Sequence, residues 1–258
     1  MFIQKIQKLP YSAFAEVYDK TMYDIPYHHW AHFIYQVLDS AKLNSQSWVM
    51  DIGSGTGLVA SKLSSHYRML AVDISRDMLA HAANERGLTC IQANMTALPL
   101  RHESIAAAYS THDCVNYLSD EKMLLDHLKD VCFTLKPGGI YIFDFSTEYN
   151  VIKYFDKRIF SERHGNSFMK WYNVYDGENK QVLSTIDITQ YPTHILGRFF
   201  FWKKKIIREI HLQKIFDEKL VERLSRKAGF KVLKKNYDYN EITSPQRAHL
   251  VVLVLKKL

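Results

Sequence analysis

VMDIGSGTGLVA, residues 49–60, governs how the rest of the chain is read. An apolar run passes into a glycine-rich turn and then into a second apolar run, the pattern of a buried parallel strand feeding a helix. Asp51, Gly53, Gly55 and Gly57 stand in the spacing D-x-G-x-G-x-G. Without Cβ atoms, the glycines allow a tight turn with unusual dihedrals and let a ligand approach the backbone. Asp51 can accept hydrogen bonds from the loop's N–H groups and meet a ligand's ammonium through water. Dinucleotide-binding turns use G-x-G-x-x-G and aim a helix N-terminus at a pyrophosphate. Here the third glycine falls one residue early and a carboxylate stands two before the first, which suits a cationic amino acid moiety better than phosphates.

Downstream, LVASKLSSHY reads as a helix and RMLAVD as a second strand ending in Asp73. A carboxylate at that strand end can accept two hydrogen bonds from a ribose diol; the alternative is a helix N-cap, since ISRDML follows. DMLAHAANER is helical and TCIQA is a third strand. In the next segment, ANMTALPL, the Asn94 amide and the Met95 N–H can meet an adenine edge, or the segment is an ordinary turn. SIAAAYS is a fourth strand. EKMLLDHLKDVCFTL is an amphipathic helix stopped by Lys136-Pro137-Gly138-Gly139, and IYIFDF is a fifth strand. Strands alternating with helices in this way predict an open parallel sheet wound on both faces.

Upstream, residues 11–44 carry helical periodicity broken at Pro26, which predicts an N-terminal helical cap over residues 1–44. After Ser146 the rhythm changes. FMKWYNVYD and KQVLSTIDITQY alternate around Asp176-Gly177-Glu178-Asn179, a hairpin signal, and GRFFFW and IIREIHLQKIF read as further strands. Residues 147–215 are therefore expected to form an inserted antiparallel β-rich lid. DEKLVERLSRKAGF returns as a helix, and FKVLKKNYDYN and AHLVVLVLKKL close the chain as strands. The expected α/β fold is a doubly wound sheet of about seven strands over residues 45–146 and 216–258, mostly parallel with one antiparallel strand near the C-terminus.

Composition narrows the setting. Of 258 residues, 47% are hydrophobic and 24% charged, with 16 Tyr and 14 Phe enriched toward the middle third. Cys90, Cys114 and Cys132 are too few and scattered for a disulfide framework or zinc cluster, so a reducing cytoplasm is expected. The first residues lack the apolar core of a secretory signal, and no run of about 18 apolar residues predicts a membrane span. The net charge of +7 includes Lys203-Lys204-Lys205, Lys234-Lys235 and Lys256-Lys257. A solvated face or an anionic small substrate accounts for it, with nucleic acid as the alternative. His28-His29 belong to no H-x-x-x-H pair with a carboxylate partner, so no metal is expected.

The three segments around residues 49–60, Asp73 and Asn94-Met95, with LKPGG before strand five, resemble the class I S-adenosylmethionine-dependent methyltransferases over roughly residues 45–145. The resemblance implies a Rossmann-like fold, S-adenosyl-L-methionine as cofactor and S-adenosyl-L-homocysteine as product. It places Asp51, Gly53, Ser54, Gly55 and Gly57 at the methionine part, Asp73 at the ribose and Ile74 at the adenine face. Asn94 and Met95 fall at the adenine edge, and Ser110 joins the cofactor set. Many members carry aspartate where this chain has Asn94; an amide both donates and accepts, so adenine recognition is expected to survive. FAEVYDKTMYDIPYHHW and HDCVNYL further resemble the leader helix and the C-D-S-L-N-Y-L segment of a bacterial subgroup that includes sugar amine N-methyltransferases. Fold and cofactor site do not choose the acceptor.

Methyl transfer from a sulfonium is an in-line displacement, so the protein must align an acceptor lone pair roughly 3 Å from the methyl carbon and exclude water. A general base helps where the acceptor loses a proton. In THDCVNYL, Asp113 or His112 is expected to take that proton and Asn116 or Tyr117 to orient the acceptor; the alternatives are a capping Asp113 and a core Tyr117. Tyr11, Tyr18 and Tyr23 are candidates for the sulfonium end, Tyr18 first because the leader motif places it. Trp171, Tyr172, Tyr191, Arg198, Trp202, His211 and Gln213 are candidates for an acceptor wall. The expected activity is transfer to an N or O acceptor on a small molecule, by a monomer or homodimer without a membrane partner. The alternatives are tRNA or other nucleic-acid methylation and a non-catalytic S-adenosylmethionine-binding protein. No Asp/Asn-Pro-Pro-aromatic motif follows strand four and no cysteine follows a proline, which weighs against base methylation.

Overall fold

Two sheets organise the computed structural model, which describes residues 4–8, 10–191 and 204–258. In chain order the first elements are β1 (Gln4–Lys8), α1 (Tyr18–Thr21), α2 (Tyr27–Ser40), β2 (Trp48–Ile52), α3 (Leu58–Leu63) and β3 (Arg68–Asp73). Next come α4 (Arg76–Arg86), β4 (Thr89–Gln92), β5 (Ile105–Ser110), α5 (Glu121–Thr134) and β6 (Leu135–Ser146). The larger sheet is completed by the helix α7 (Glu218–Lys227) and the strands β11 (Phe230–Tyr237) and β12 (Leu250–Lys257), after a short helix α6 (Glu148–Asn150).

That sheet has seven strands in the order β11-β12-β6-β5-β2-β3-β4. β12 runs antiparallel to both of its neighbours, and the other recorded pairings are parallel. The physical reason for the continuous apolar strands is burial of both faces. Val49 of β2 faces a core with Ile34, Leu38, Ala60 and Leu63. Its neighbour Met50 faces the opposite core with Leu128, Val131, Phe143 and Leu253. Helix starts follow from local chemistry: Ser75 and Asp120 accept the backbone N–H groups of Met78 and Met123, at 3.2 and 2.8 Å, and cap α4 and α5.

The second sheet holds five strands in the order β1-β10-β9-β8-β7, with β7 at Ile159–His164, β8 at Ser167–Asp176, β9 at Gln181–Gln190 and β10 at Lys205–Lys214. β7 to β10 form an antiparallel meander, and the β8–β9 hairpin turns at the expected Asp176-Gly177-Glu178-Asn179. Its inner face, Met169, Ile186, Ile188 and Ile207, packs on Ala13, Phe14 and Val17.

The N-terminal segment departs from an all-helical cap. Residues 4–8 form a strand that pairs in parallel with β10, before the helices begin. Five residues are too few to show a period, and the pairing edge lies about 200 positions away, so helical periodicity from residue 11 onward carried no trace of it. β7 was also not anticipated; its Ser161-Glu162-Arg163-His164 is a polar edge without apolar alternation. The segment GRFFFW, expected as a strand, lies outside the described residues.

Candidate functional site

At the carboxyl ends of β2, β3 and β5, where the strand order reverses about β2, lies a cavity of about 490 Å³. Its floor is the glycine turn. Gly53 has φ +71° and a Cβ there would fall 2.0 Å from Cys114 Sγ; Gly57 has φ +82° and a Cβ would fall 2.4 Å from Leu88 Cδ1. Two of the three glycines are thus required by the protein's own packing. Only Gly55, whose Cβ would meet nothing within 4 Å, presents open space, and it lines the cavity.

Asp73 shapes the same turn. One carboxylate oxygen accepts Gly55 N–H at 2.8 Å and the other accepts Ser75 N–H at 2.8 Å. The helix N-cap is Ser75, not Asp73. An ionised carboxylate has about four acceptor positions, so Asp73 keeps acceptor capacity on the cavity it lines. Burial pushes its carboxyl above the usual range. Asp51 lies buried at the end of β2 and off the cavity wall; burial pushes it up to about 7. Ser54 keeps a buried hydroxyl with no hydrogen-bond partner. Ser110 also stands off the wall, donating its hydroxyl to Ile52 O at 2.8 Å and so tying β5 to β2.

One part of the lining joins an apolar face to polar groups. Ile74 lines it and is 64% exposed, an apolar face left open. Asn94 accepts both the N–H and the hydroxyl of Thr96 on Oδ1, each at 3.0 Å, so its NH2 is the group left to offer. The expectation of an amide that both donates and accepts is corrected here: its oxygen holds the local turn. Met95 O accepts His127 Nδ1–H at 2.8 Å, and His127 Nε2 accepts the Tyr141 hydroxyl at 2.7 Å. Burial pulls His127 down to about 4, which keeps this ring neutral.

The opposite end is aromatic and polar, lined by Tyr11, Tyr18, Thr111, His112, Cys114 and Tyr117. His112 and Asp113 adopt φ of +61° and +50°, a conformation held by one carboxylate. Asp144, buried on β6, accepts the His112 and Asp113 N–H groups at 2.9 and 2.6 Å, and also the Tyr239 hydroxyl. Burial pushes Asp144 to about 6. His112 Nδ1 lies 3.1 Å from the Tyr18 hydroxyl, and burial lowers the imidazole to about 4. Tyr117 Oη lies 2.7 Å from Tyr11 Oη and 2.8 Å from His211 Nδ1.

Several expected roles change at this end. Asp113 is not on the wall; burial, and then the nearby Asp144 charge, push it up to about 8 while Gln213 opposes the shift. Asn116 is buried and off the cavity wall, donating to Lys214 O at 2.6 Å and accepting Ser146 N–H at 2.9 Å, so its amide staples β6 to β10. Tyr23 is 78% exposed and off the cavity. Among the acceptor-wall candidates, His211 is buried against Tyr117, Trp171 packs on Phe14 and Phe160, Tyr172 is exposed, and Tyr191 lies under Arg163. Arg198 and Trp202 lie outside the described residues.

The leader closes the cavity. Pro10, Tyr11, Ser12 and Tyr18 line it from above the sheet. Ser75 donates to Tyr11 O at 3.0 Å. Asp19 on α1 accepts the Thr56 hydroxyl at 2.6 Å and pairs with Arg86. Glu209 of β10 accepts the N–H groups of Tyr11, Ala13 and Phe14. Asp19, Arg86, His127, Asp144, Glu209 and Tyr239 were not singled out in the sequence. Only Asp144, the lone charge in IYIFDF, and Asp19, inside FAEVYDK, gave a local signal.

A nucleoside with a cationic tail fits this donor and acceptor set, and the comparisons with known proteins agree. Residues 49–139 match the family described as Methyltransferase domain, and the comparisons support a class I S-adenosylmethionine-dependent methyltransferase. Along most of its length it is similar to "Putative methyltransferase YqeM" of Bacillus subtilis (strain 168), 23% identical over 236 residues covering 90% of each chain. Among solved structures, an S-adenosylmethionine-dependent methyltransferase from Clostridium acetobutylicum ATCC 824 superposes with a TM-score of 0.80 at 23% identity, over 95% of this chain and 98% of that one. The sugar N-methyltransferase KedS8 from Streptoalloteichus sp ATCC 53650 superposes with a TM-score of 0.71 at 15% identity, over 91% and 90%. No described helix is long and apolar enough to cross a membrane.

Proposed function

We propose that the chain transfers a methyl group to an N or O nucleophile of a small molecule. The observation that carries this reading is a cavity lined both by Asp73, Ile74, Asn94 and Met95 and by the polar aromatic residues Tyr11, Tyr18, His112 and Tyr117. A volume of about 490 Å³ falls in the range of small-molecule sites, roughly 300–1,000 Å³. Pro10, Tyr11, Ser12 and Tyr18 of the leader line it. The printed name of KedS8, a sugar N-methyltransferase, supports an amine-bearing acceptor. Three free cysteines suit a cytoplasmic setting, as a monomer or homodimer.

In this reading Asp73 accepts the ribose diol, Ile74 covers one adenine face, and the Asn94 NH2 and Met95 N–H meet the adenine edge. The turn from Gly53 to Gly57 and the Ser54 hydroxyl hold the methionine part, with Asp51 supplying negative potential from beneath. Bound there, S-adenosylmethionine supplies a methyl carbon activated by its sulfonium. Tyr11 and Tyr18 exclude water and offer hydroxyl oxygens to positive charge. Neutral His112 fixes the Tyr18 hydroxyl.

Calorimetry with S-adenosylhomocysteine tests the donor half. Asp73→Ala is expected to weaken binding at least tenfold, about 1.4 kcal/mol; unchanged affinity would remove Asp73 from the site. Transfer of labelled methyl to a panel of amino sugars, aliphatic amines and phenols, run beside bulk tRNA, tests the acceptor half. Label carried mainly by tRNA, with steep salt dependence of binding, would replace the small-molecule reading by the nucleic-acid one.

A further inference from the structure

The acceptor end contains a buried hydrogen-bonded chain that leads away from the cavity into the second sheet. Tyr117 lines the cavity and its Oη lies 2.8 Å from His211 Nδ1, and His211 Nε2 lies 3.3 Å from Glu209 Oε2. His211 and Glu209 are 3% and 0% exposed, so neither exchanges these partners for water. We infer that Tyr117 is the group that takes the proton from the methyl acceptor, and that His211 and Glu209 position it and receive the proton it passes on. The inference rests on the small-molecule reading given above.

Glu209 fixes the direction of the first hydrogen bond. Burial alone would raise this carboxyl, but bonds from His211 and from the Ala13 and Phe14 N–H groups outweigh burial and hold it below its usual range. Its oxygens also accept Tyr11 N–H at 2.8 Å, beside Ala13 at 2.6 Å and Phe14 at 3.1 Å. An ionised carboxylate only accepts, so His211 donates Nε2–H to it; in the relay the ring is the neutral tautomer, whose Nδ1 carries the lone pair. Tyr117 therefore donates to His211, and the Tyr11 hydroxyl, 2.7 Å away, donates to Tyr117. A tyrosine hydroxyl has one donor and two lone pairs. One Tyr117 lone pair remains, on a residue that lines the cavity.

The proton balance is complete within these residues. The acceptor's lone pair forms the new bond to the methyl carbon, and the electron pair of the broken C–S bond stays on sulfur. The acceptor's X–H proton passes to Tyr117 Oη as the Tyr117 proton moves to His211 Nδ1, giving an imidazolium paired with Glu209. Of the two residues first expected to take the proton, Asp113 stands off the wall, while His112 lines it with Nδ1 at the Tyr18 hydroxyl. Because Glu209 binds leader N–H groups with the same carboxylate, the relay is assembled when the leader covers the cavity.

The test uses the full chain and the acceptor panel above. Tyr117→Phe is expected to lower kcat about 10²-fold, with the acceptor KM and S-adenosylhomocysteine affinity within about threefold. His211→Gln, which can accept from Tyr117 but cannot take its proton, should lower kcat with the same unchanged affinities. ¹⁵N-histidine NMR of the wild type, with the His211 signals assigned by loss in His211→Gln, should report protonated Nε2 and bare Nδ1. A kcat within threefold of wild type in both variants, or a proton on His211 Nδ1, would overturn the relay. Should the wild type bind S-adenosylhomocysteine and methylate no member of the panel, the small-molecule reading fails, and the histidine tautomer alone then decides the relay.

Discussion

Gly53 and Gly55 look equivalent in sequence, yet their surroundings separate them. A side chain at Gly53 meets Cys114 at 2.0 Å with φ at +71°, whereas Gly55 at +54° meets nothing. Gly53→Ala is expected to cost about 3 kcal/mol of unfolding free energy and Gly55→Ala about 1 kcal/mol, since only the first adds overpacking to left-handed strain. Urea unfolding of the two variants checks this, and equal losses would mean that Cys114 rotates away freely. The spacing D-x-G-x-G-x-G was legible because it is local. Cys114 lies 61 positions beyond Gly53, and nothing in the sequence couples them.

At the scale of elements, side chains from outside the motif hold the motif in place. His127 on α5 bridges Met95 O and Tyr141, so His127→Phe leaves two polar groups without partners. That change is expected to cost about 2–4 kcal/mol and to weaken S-adenosylhomocysteine binding by displacing the Asn94–Met95 turn. Thermal melting and calorimetry together read both effects; intact affinity in a destabilised variant would detach His127 from the turn's function. The leader tells a second story. Asp19 is partly exposed, 32% against 15% for Arg86, so its pair is worth only about 1 kcal/mol. Asp19→Ala should speed S-adenosylhomocysteine dissociation several-fold in stopped-flow while leaving the melting temperature nearly unmoved. An unchanged dissociation rate would show that the leader is held by β1 and Glu209 without it.

For the molecule as a whole, the buried titratable groups set how stability follows pH. Burial raises the Asp51, Asp113 and Asp144 carboxyls from 3.8 to about 7, 8 and 6. Their contribution is fully present below pH 3.8 and is lost as pH rises through those folded values, because the folded chain then holds protons the unfolded chain has released. His112 and His127 act oppositely. Lowered from 6.5 to about 4, they stabilise above pH 6.5 and lose that contribution as pH falls toward 4. Between pH 6.5 and 8.5 the carboxyl set outweighs the last of the histidine change. Scanning calorimetry of the cofactor-free protein should show a falling melting temperature over that interval. Asp113→Asn should flatten the slope, and an unaltered slope would contradict the raised Asp113 carboxyl.

The sequence by itself determined the class of sheet, the alternation of its strands and helices and the cofactor class, because these rest on period, on turn chemistry and on residues a few positions apart. The β8–β9 hairpin was equally legible from its alternation and its Asp-Gly turn. Tertiary structure alone decided the rest. It put Asn116 on the Ser146 and Lys214 backbones instead of the cavity, left Tyr23 in solvent, and drew β1 onto the edge of β10. It also joined Tyr117 to His211 and Glu209, 94 and 92 residues away. A side chain's role there depends on which distant backbone or carboxylate shares its buried space, and no local pattern encodes that meeting. The glycine turn named its ligand class early; the aromatic end acquired its chemistry only when two sheets and a leader closed around it.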